Sequence, residues 1–399
     1  MHIVTGWSAL RVLRALRMRS YRGNSVWLPA VDLPERTAIP TKDSNEVRAP
    51  EERAGEADRM GDGRAKTLAE CGFEFDSVVA GKRVDFERFY DLGPFTTDDP
   101  LELGVFDPNK RVHLKTTKCR LLSRALPQTA LLRVDPDLYI AGPELIVAQV
   151  GETATLIELI QIIMELCGSY AVMPVPTADS LQMAVYEIPP VTSIAAIKEL
   201  LGNARVKTRA RHLIKRSFAY AREGAASPAE TNLSLALGLP MDLGGYGLGM
   251  PVLNARLQTP EGERAYVGQD HYDLDLYWAD CRADIEYEST EFHLDPLYGV
   301  PSAGLRSEEV KAWREDRIAR GAHDRTRLRD IQTLGVQVIP VVASDLRDVA
   351  SLDRVARALL HQKALVGGID EVAYLASLDD HDARTKRESL HGALFAGAA

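Results

Sequence analysis

The spacing of apolar positions divides the chain into stretches of helical and of strand period. Near the start, Leu10, Leu13 and Leu16 fall on one side of a segment that begins at Ser8, with arginines on the other. This predicts an amphipathic first helix whose arginines form either a phosphate-contacting or a merely solvated face. Short apolar stretches follow at Leu101 to Phe106, Val112 to Leu114, Leu131 to Val134 and Leu138 to Ala141. The turn-forming runs DPNK and DPD separate them, which predicts short strands. Pro143 opens a run whose apolar residues recur at spacings of three and four through Cys167, a helix that Gly168 stops. Its most apolar part, Leu156 to Leu166, is interrupted by Glu158, Gln161 and Glu165. It falls short of the ~20 residues of a membrane span and reads as a buried helix. Ser193 to Ala221 is again of helical pattern.

In the second half, Ser227-Pro228-Ala229-Glu230 combines a capping serine, a first-turn proline and a glutamate three residues on, the signature of a helix start. That helix should reach about Leu239. Strands are predicted at Val252 to Leu257, Tyr272 to Trp278 and Arg282 to Glu288, the last two joined by the short ADC connection of an antiparallel hairpin. Helical sequence resumes from about Ser307, with Leu328, Ile331 and Leu334 as an apolar stripe and Gly335 as its stop. The β-branched run Val336 to Val342 reads as a buried strand. Together these elements predict an α/β sandwich around a mixed sheet, behind a separate N-terminal α+β domain.

Composition narrows this picture. The 399 residues suffice for two or three domains at about 150 residues each, and 45% hydrophobic with 26% charged residues is that of a folded chain. The segment 34–65 has almost no large apolar residue and reads as a mobile linker. The expected organisation is a basic N-terminal helix in 1–33, the linker, an α+β domain in 66–222, a second α/β domain in 223–365, and a partly mobile C-terminal extension in 366–399, charged and rich in small residues from Asp379 onward. The net charge of −9 argues against a surface uniformly basic for indiscriminate nucleic-acid binding. Cys71, Cys119, Cys167 and Cys281 form no C-x-x-C pair, so neither a zinc ribbon nor a redox dithiol is indicated, and a reducing cytoplasm fits. Arg11, Arg14, Arg17, Arg19 and Arg22, in a segment without acids, also match an organellar transit peptide, against which the amphipathic helix is preferred. No membrane association is expected.

Candidate chemistry concentrates in the second half. On the predicted strands, Asp273 and Asp275 alternate with Leu274 and Leu276, and Asp284, Glu286 and Glu288 alternate with Ile285 and Tyr287. Period two places each set on one strand face, as a converging acidic site or as solvated surface. His293 follows closely. Hard oxygen ligands of this kind suit Mg²⁺ or Mn²⁺. Glu230 has its own structural explanation, reaching back to the helix cap. The run GGYGLG follows a helix, precedes a strand and lacks the phosphate-loop lysine, so it reads as a turn. Lys207, Arg209, Arg211, Lys215 and Arg216 form the densest basic stretch beyond the N-terminus, either a phosphate-contacting face or a solvated helix.

From Ser227 to Leu346 the chain resembles the PD-(D/E)XK nuclease superfamily, in the branch related to the very-short-patch-repair endonuclease. The matching positions are Glu230 on the first helix, Asp275 with Trp278 nearby, Glu286-Tyr287-Glu288-Ser289, His293, and Asp324, Arg327, Ile331 and Gly335. The resemblance implies a restriction-endonuclease-like mixed sheet flanked by helices and an Mg²⁺-dependent (or Mn²⁺-dependent) DNA endonuclease. Asp275 and Glu286 would be the metal ligands, with Glu230 near them and His293 as a proton-transfer group or ligand. Glu288 stands where the superfamily has its catalytic lysine, and Arg327 could supply a displaced positive charge. A catalytically degenerate, DNA-binding or antitoxin-like regulatory protein is the alternative. The first half is similar to regions akin to AbiEi-type antitoxins at Ser8-Ala9-Leu10 and Pro143-Glu144-Leu145, which implies a toxin–antitoxin type of partner. Cleavage of both DNA strands would call for two active sites, hence a homodimer.

Overall fold

The computed structural model describes residues 1–21, 66–80, 95–135, 137–172, 184–203, 206, 208–288 and 324–395. The expected linker 34–65 lies outside them. The chain divides into two units, Met1–Glu223 and Gly224–Ala399. Each is mixed α/β, with mixed sheets accompanied by helices.

The first unit is built on a five-stranded sheet of order β3-β2-β1-β5-β4, formed by β1 His2–Val4, β2 Leu101–Val105, β3 Thr117–Leu121, β4 Leu131–Asp135 and β5 Leu138–Ala141. The central strand is β1, antiparallel to β2 and parallel to β5. A separate two-stranded antiparallel sheet is formed by β6 Ala171–Val172 and β7 Ala184–Val185. Three residues are too few for a legible period, so the sequence pattern passes over it. The strand expected at Val112 to Leu114 is irregular, and β3 lies just beyond it. The single helix expected from Pro143 to Cys167 is two, Pro143–Val150 and Leu156–Leu166. Thr155 caps the second in a full capping box with Glu158, which ends the continuous pattern. Seven residues of that helix are buried, as its apolar content predicts. Similarly, 193–221 holds two helices, Ile194–Gly202 and Arg211–Ser217, with turns between them.

The first helix, Gly6–Tyr21, buries Ala9, Leu10, Val12, Leu13, Ala15 and Leu16 within this unit. Its arginines are not the solvated face expected. Arg11 pairs with Asp99 at 2.5 and 2.7 Å, and Arg14 forks onto Glu165, itself 2% exposed. Arg17 is buried and donates to the carbonyls of Glu165, Gly168 and Pro189 at 3.2, 3.1 and 3.1 Å. The helix thus engages these three cations within its own unit.

The second unit has a four-stranded sheet of order β11-β10-β9-β8, formed by β8 Val252–Gln258, β9 His271–Trp278, β10 Ala283–Glu288 and β11 Gln337–Val342. β8, β9 and β10 are antiparallel in succession, and β11 returns parallel to β10. The helix Pro228–Gly238 precedes β8, and helical residues 324–333 precede β11. Ile331 and Leu334 join Tyr272, Leu274, Val336 and Val338 in one buried cluster, with Leu328 packed against it. Gly335 ends that helix at φ 76°, as expected of a left-handed cap. β11 departs from the expected buried strand. It has β10 as its one partner among the described residues, and Gln337 and Pro340 are exposed. A proline without a backbone donor is tolerated at such an edge.

The C-terminal extension, expected to be partly mobile, holds helices among the described residues. Helices Val349–Leu365, Glu371–Leu378 and His381–Phe395 follow β11, and the last buries Arg387, Leu390, Leu394 and Phe395. Asn232 of the Pro228–Gly238 helix donates to Leu394 O at 2.6 Å. The GGYGLG run is a turn, with Gly244, Gly247 and Gly249 at φ 87°, 67° and 80°.

Candidate acidic site

The site is assembled from the helix Pro228–Gly238, strands β8 to β10 and the helical residues 324–333. Ser227 caps the first helix and accepts the Glu230 N–H at 3.1 Å. The Glu230 carboxylate accepts in return from Ala226 N and Ser227 Oγ, each at 2.9 Å. The capping role is therefore real. A further donor ties the same carboxylate to the sheet: Asn254 Nδ2 on β8 reaches Glu230 Oε2 at 2.8 Å.

Strand register supplies the other acids. The pairs Leu253–Leu276 and Ala255–Leu274 place Asn254 beside Asp275. The pairs Asp284–Tyr277 and Ile285–Leu276 carry Glu286 to the other side of Asp275. Alternation then sets Asp275, Asp284 and Glu286 on one face. Asp275 Oδ2 accepts from Tyr287 N at 2.9 Å, and Asp284 Oδ1 from Leu276 N at 3.2 Å. Arg327 closes the group with a fork, donating through Nη1 to Glu286 Oε2 and through Nη2 to the carbonyl of Asp273. Asp273 itself pairs with Arg256 at 2.9 Å.

Charge in this space is poorly compensated. Burial, then the charges of Glu286 and Glu230, push the Asp275 carboxyl well above the usual carboxylate range. Burial also raises Glu230, against its three hydrogen bonds and with the repulsion of Glu286. Asp284 is pushed up to about 10, first by burial, then by a hydrogen bond with Glu286 and that group's charge. Asp284 Oδ2 and Glu286 Oε1 are buried and have no other partner. A proton held on Asp284 supplies the donor that this pair of carboxyls lacks.

Of the site residues expected from sequence, Glu230, Asp275, Glu286 and Arg327 come together. Glu288 is half-buried at the end of β10. His293 and Lys207 lie outside the described residues. Arg209, Lys215 and Arg216 are exposed in the first unit. Arg211 is not free for phosphate, because it donates to the carbonyls of Leu201 and Val206. Asp284, weighed as solvated surface, is fully buried. Asn254 carried no signal, since a lone asparagine in a strand pattern looks only like a weak strand former.

Among the described residues, no group of three or more His, Cys, Asp or Glu side chains is arranged to hold a metal ion. The donor chemistry nevertheless fits a hard cation, because the acids offer only oxygens. What stands in a cation's place is the Arg327 guanidinium on Glu286 Oε2. No family model, curated protein or solved structure matches the chain. No helix among the described residues is long and apolar enough to cross a membrane.

Proposed function

We propose that the second unit is a metal-dependent DNA endonuclease domain of the restriction-endonuclease-like kind. The observation that carries this reading is the hydrogen-bonded convergence of Glu230, Asp275 and Glu286 from three separate elements, with Arg327 as their counter-cation. A solvated acidic surface has no need of such links. The order of elements, a helix with a glutamate, three antiparallel strands, a helix and a returning parallel strand, supports the same reading.

In this mechanism Asp275 and Glu286 would hold Mg²⁺ or Mn²⁺, which would supply Lewis acidity toward phosphate oxygens. The chain's own residues do the rest. Glu230, fixed by Ala226, Ser227 and Asn254, is positioned to accept a proton from an attacking water. Arg327 offers a planar fork to the non-bridging oxygens of a phosphodiester. Exposed Arg209, Lys215 and Arg216 are candidates for backbone contacts elsewhere along the DNA.

The second reading is a nuclease-fold module that binds DNA without cleaving it, as an antitoxin-like regulator does. It is favoured by Glu288 at the family's lysine position and by the lack, among the described residues, of a preformed metal-holding group. One experiment separates the two: cleavage of a panel of single- and double-stranded DNA with Mg²⁺ or Mn²⁺ by the native chain, Asp275→Ala and Glu286→Ala. Cleavage lost in both folded variants is the result expected. A native chain that binds DNA in a salt-sensitive way and cleaves nothing establishes the binding module instead.

A further inference from the structure

We propose that Arg327 keeps the acidic site closed to metal until a phosphodiester draws its guanidinium away, so that metal and nucleic acid bind cooperatively. This rests on the nuclease reading and adds to it an order of events and a residue that couples them.

The guanidinium and a divalent cation compete for the same oxygen. Arg327 holds Glu286 Oε2 and the Asp273 carbonyl together, so Glu286 can turn both oxygens to a metal only after the fork opens. Glu286 Oε1 is already without a donor other than the neighbouring carboxyl. The two partners differ in exposure. The Arg327 side chain is 24% exposed against 8% for Glu286, so of the two the arginine is the one that solvent reaches more. Its helix is fixed: Ile331 and Leu334 are buried among Tyr272, Leu274, Val336 and Val338. The motion required is therefore one of side-chain rotamers, not of the helix.

A phosphodiester is the anion suited to release it. The guanidinium fork matches two phosphate oxygens as it matches a carboxylate, so the exchange replaces one charge-assisted pair by another. Leaving Glu286 unpaired without such an exchange would strand a buried charge beside Asp275. A metal arriving alone must displace Arg327 into water, whereas a metal arriving with a phosphodiester finds Glu286 released. By linkage, the phosphodiester then gains the same factor from the metal.

The test is Mn²⁺ titration of the full chain, following free Mn²⁺ by electron paramagnetic resonance. Native protein, Arg327→Gln, Arg327→Lys and Asp275→Ala are compared with and without a short phosphorothioate duplex, whose own Mn²⁺ binding is subtracted. Without duplex, Arg327→Gln is expected to bind Mn²⁺ roughly tenfold more tightly than native protein. The duplex should tighten the native chain and leave Arg327→Gln unchanged. Arg327→Lys keeps the charge but not the fork and should shift in the same direction, so it decides the matter if the glutamine variant does not fold. Mn²⁺ bound equally by native and Arg327 variants, and lost in Asp275→Ala, overturns the coupling and leaves the metal site standing. Folded proteins that bind no Mn²⁺ in any arm, duplex included, overturn the nuclease reading and the coupling with it.

Discussion

Asn254 on β8 holds Glu230 on the neighbouring helix: its Nδ2 donates to Glu230 Oε2 at 2.8 Å and to Gly224 O at 2.9 Å, from a backbone at φ 48°. A left-handed residue inside a strand is uncommon, and asparagine tolerates it better than most side chains. The amide thereby links the helix cap to the strand that faces Asp275.

Glycine adopts the same φ freely, so Asn254→Gly removes the amide without backbone conflict. The melting temperature should change little, while cleavage falls roughly 10–100-fold, the usual cost of losing a partner that orients a site residue. Parallel melting curves and cleavage rates check this; equal cleavage by Asn254→Gly and native protein would show the amide to be structural only.

Asp284 sets a pH dependence of stability. Its pKa is raised in the fold to about 10, so the folded chain keeps a proton that the unfolded chain releases near pH 4. The contribution is fully present below the unfolded pKa and is lost progressively as pH rises toward the folded value, at up to about 1.4 kcal/mol per pH unit. Raised Asp275 and Glu230 slope the same way. Asp284→Asn mimics the neutral carboxyl and should flatten the fall in melting temperature between pH 5.5 and 8. An unchanged slope in the variant would show that Asp284 is ionised in the fold.

Much of the second unit was legible in the sequence because its signals are local. Ser227 with Glu230 marks a helix start, the alternation around Asp275 and Glu286 marks two strands, and Gly335 marks a helix stop. Legibility failed where long-range contacts decide. Nothing in Arg11, Arg14 and Arg17 announces that Asp99, Glu165 and three carbonyls await them. Nor does strand period say which acidic residues are covered: Asp284 is fully buried, whereas Glu288, four residues on, is only half-buried. Asn254 acquires its role from register alone.

Arg17 offers a test of the first unit. Arg17→Met keeps the length of the buried side chain but leaves the carbonyls of Glu165, Gly168 and Pro189 without these donors. A loss of roughly 2–4 kcal/mol is expected in denaturant unfolding, from unsatisfied buried acceptors. Arg17→Lys should recover only part of it, because an ammonium cannot span three carbonyls as a planar fork does. If the first helix were instead a loosely attached basic segment, both variants would unfold as the native chain does.

The C-terminal helices should prove integral to the second unit, through the glycine turn that follows the Glu230 helix. Gly244 lies so close to the last helix that a Cβ added there would collide with Lys386 O, in a backbone at φ 87°. Two residues on, Tyr246 donates to Asp353 Oδ1 at 2.6 Å and lies under the Arg387 guanidinium, whose carbon is 5.5 Å from the ring centre. Arg387 in turn donates to Leu378 O at 2.6 Å, and Tyr374 donates to the Tyr246 carbonyl. Gly244→Ala combines a forbidden contact with an unfavourable φ, so it should destabilise by roughly 1–3 kcal/mol. Deleting residues 379–399 should cost more: it exposes the surface beneath Leu390, Leu394 and Phe395 and leaves Asn232 without its carbonyl. Because Asn232 and Glu230 share one helix, the deletion should also weaken Mn²⁺ binding. Truncated protein that melts and binds Mn²⁺ as the full chain does would return this segment to the status of a dispensable extension.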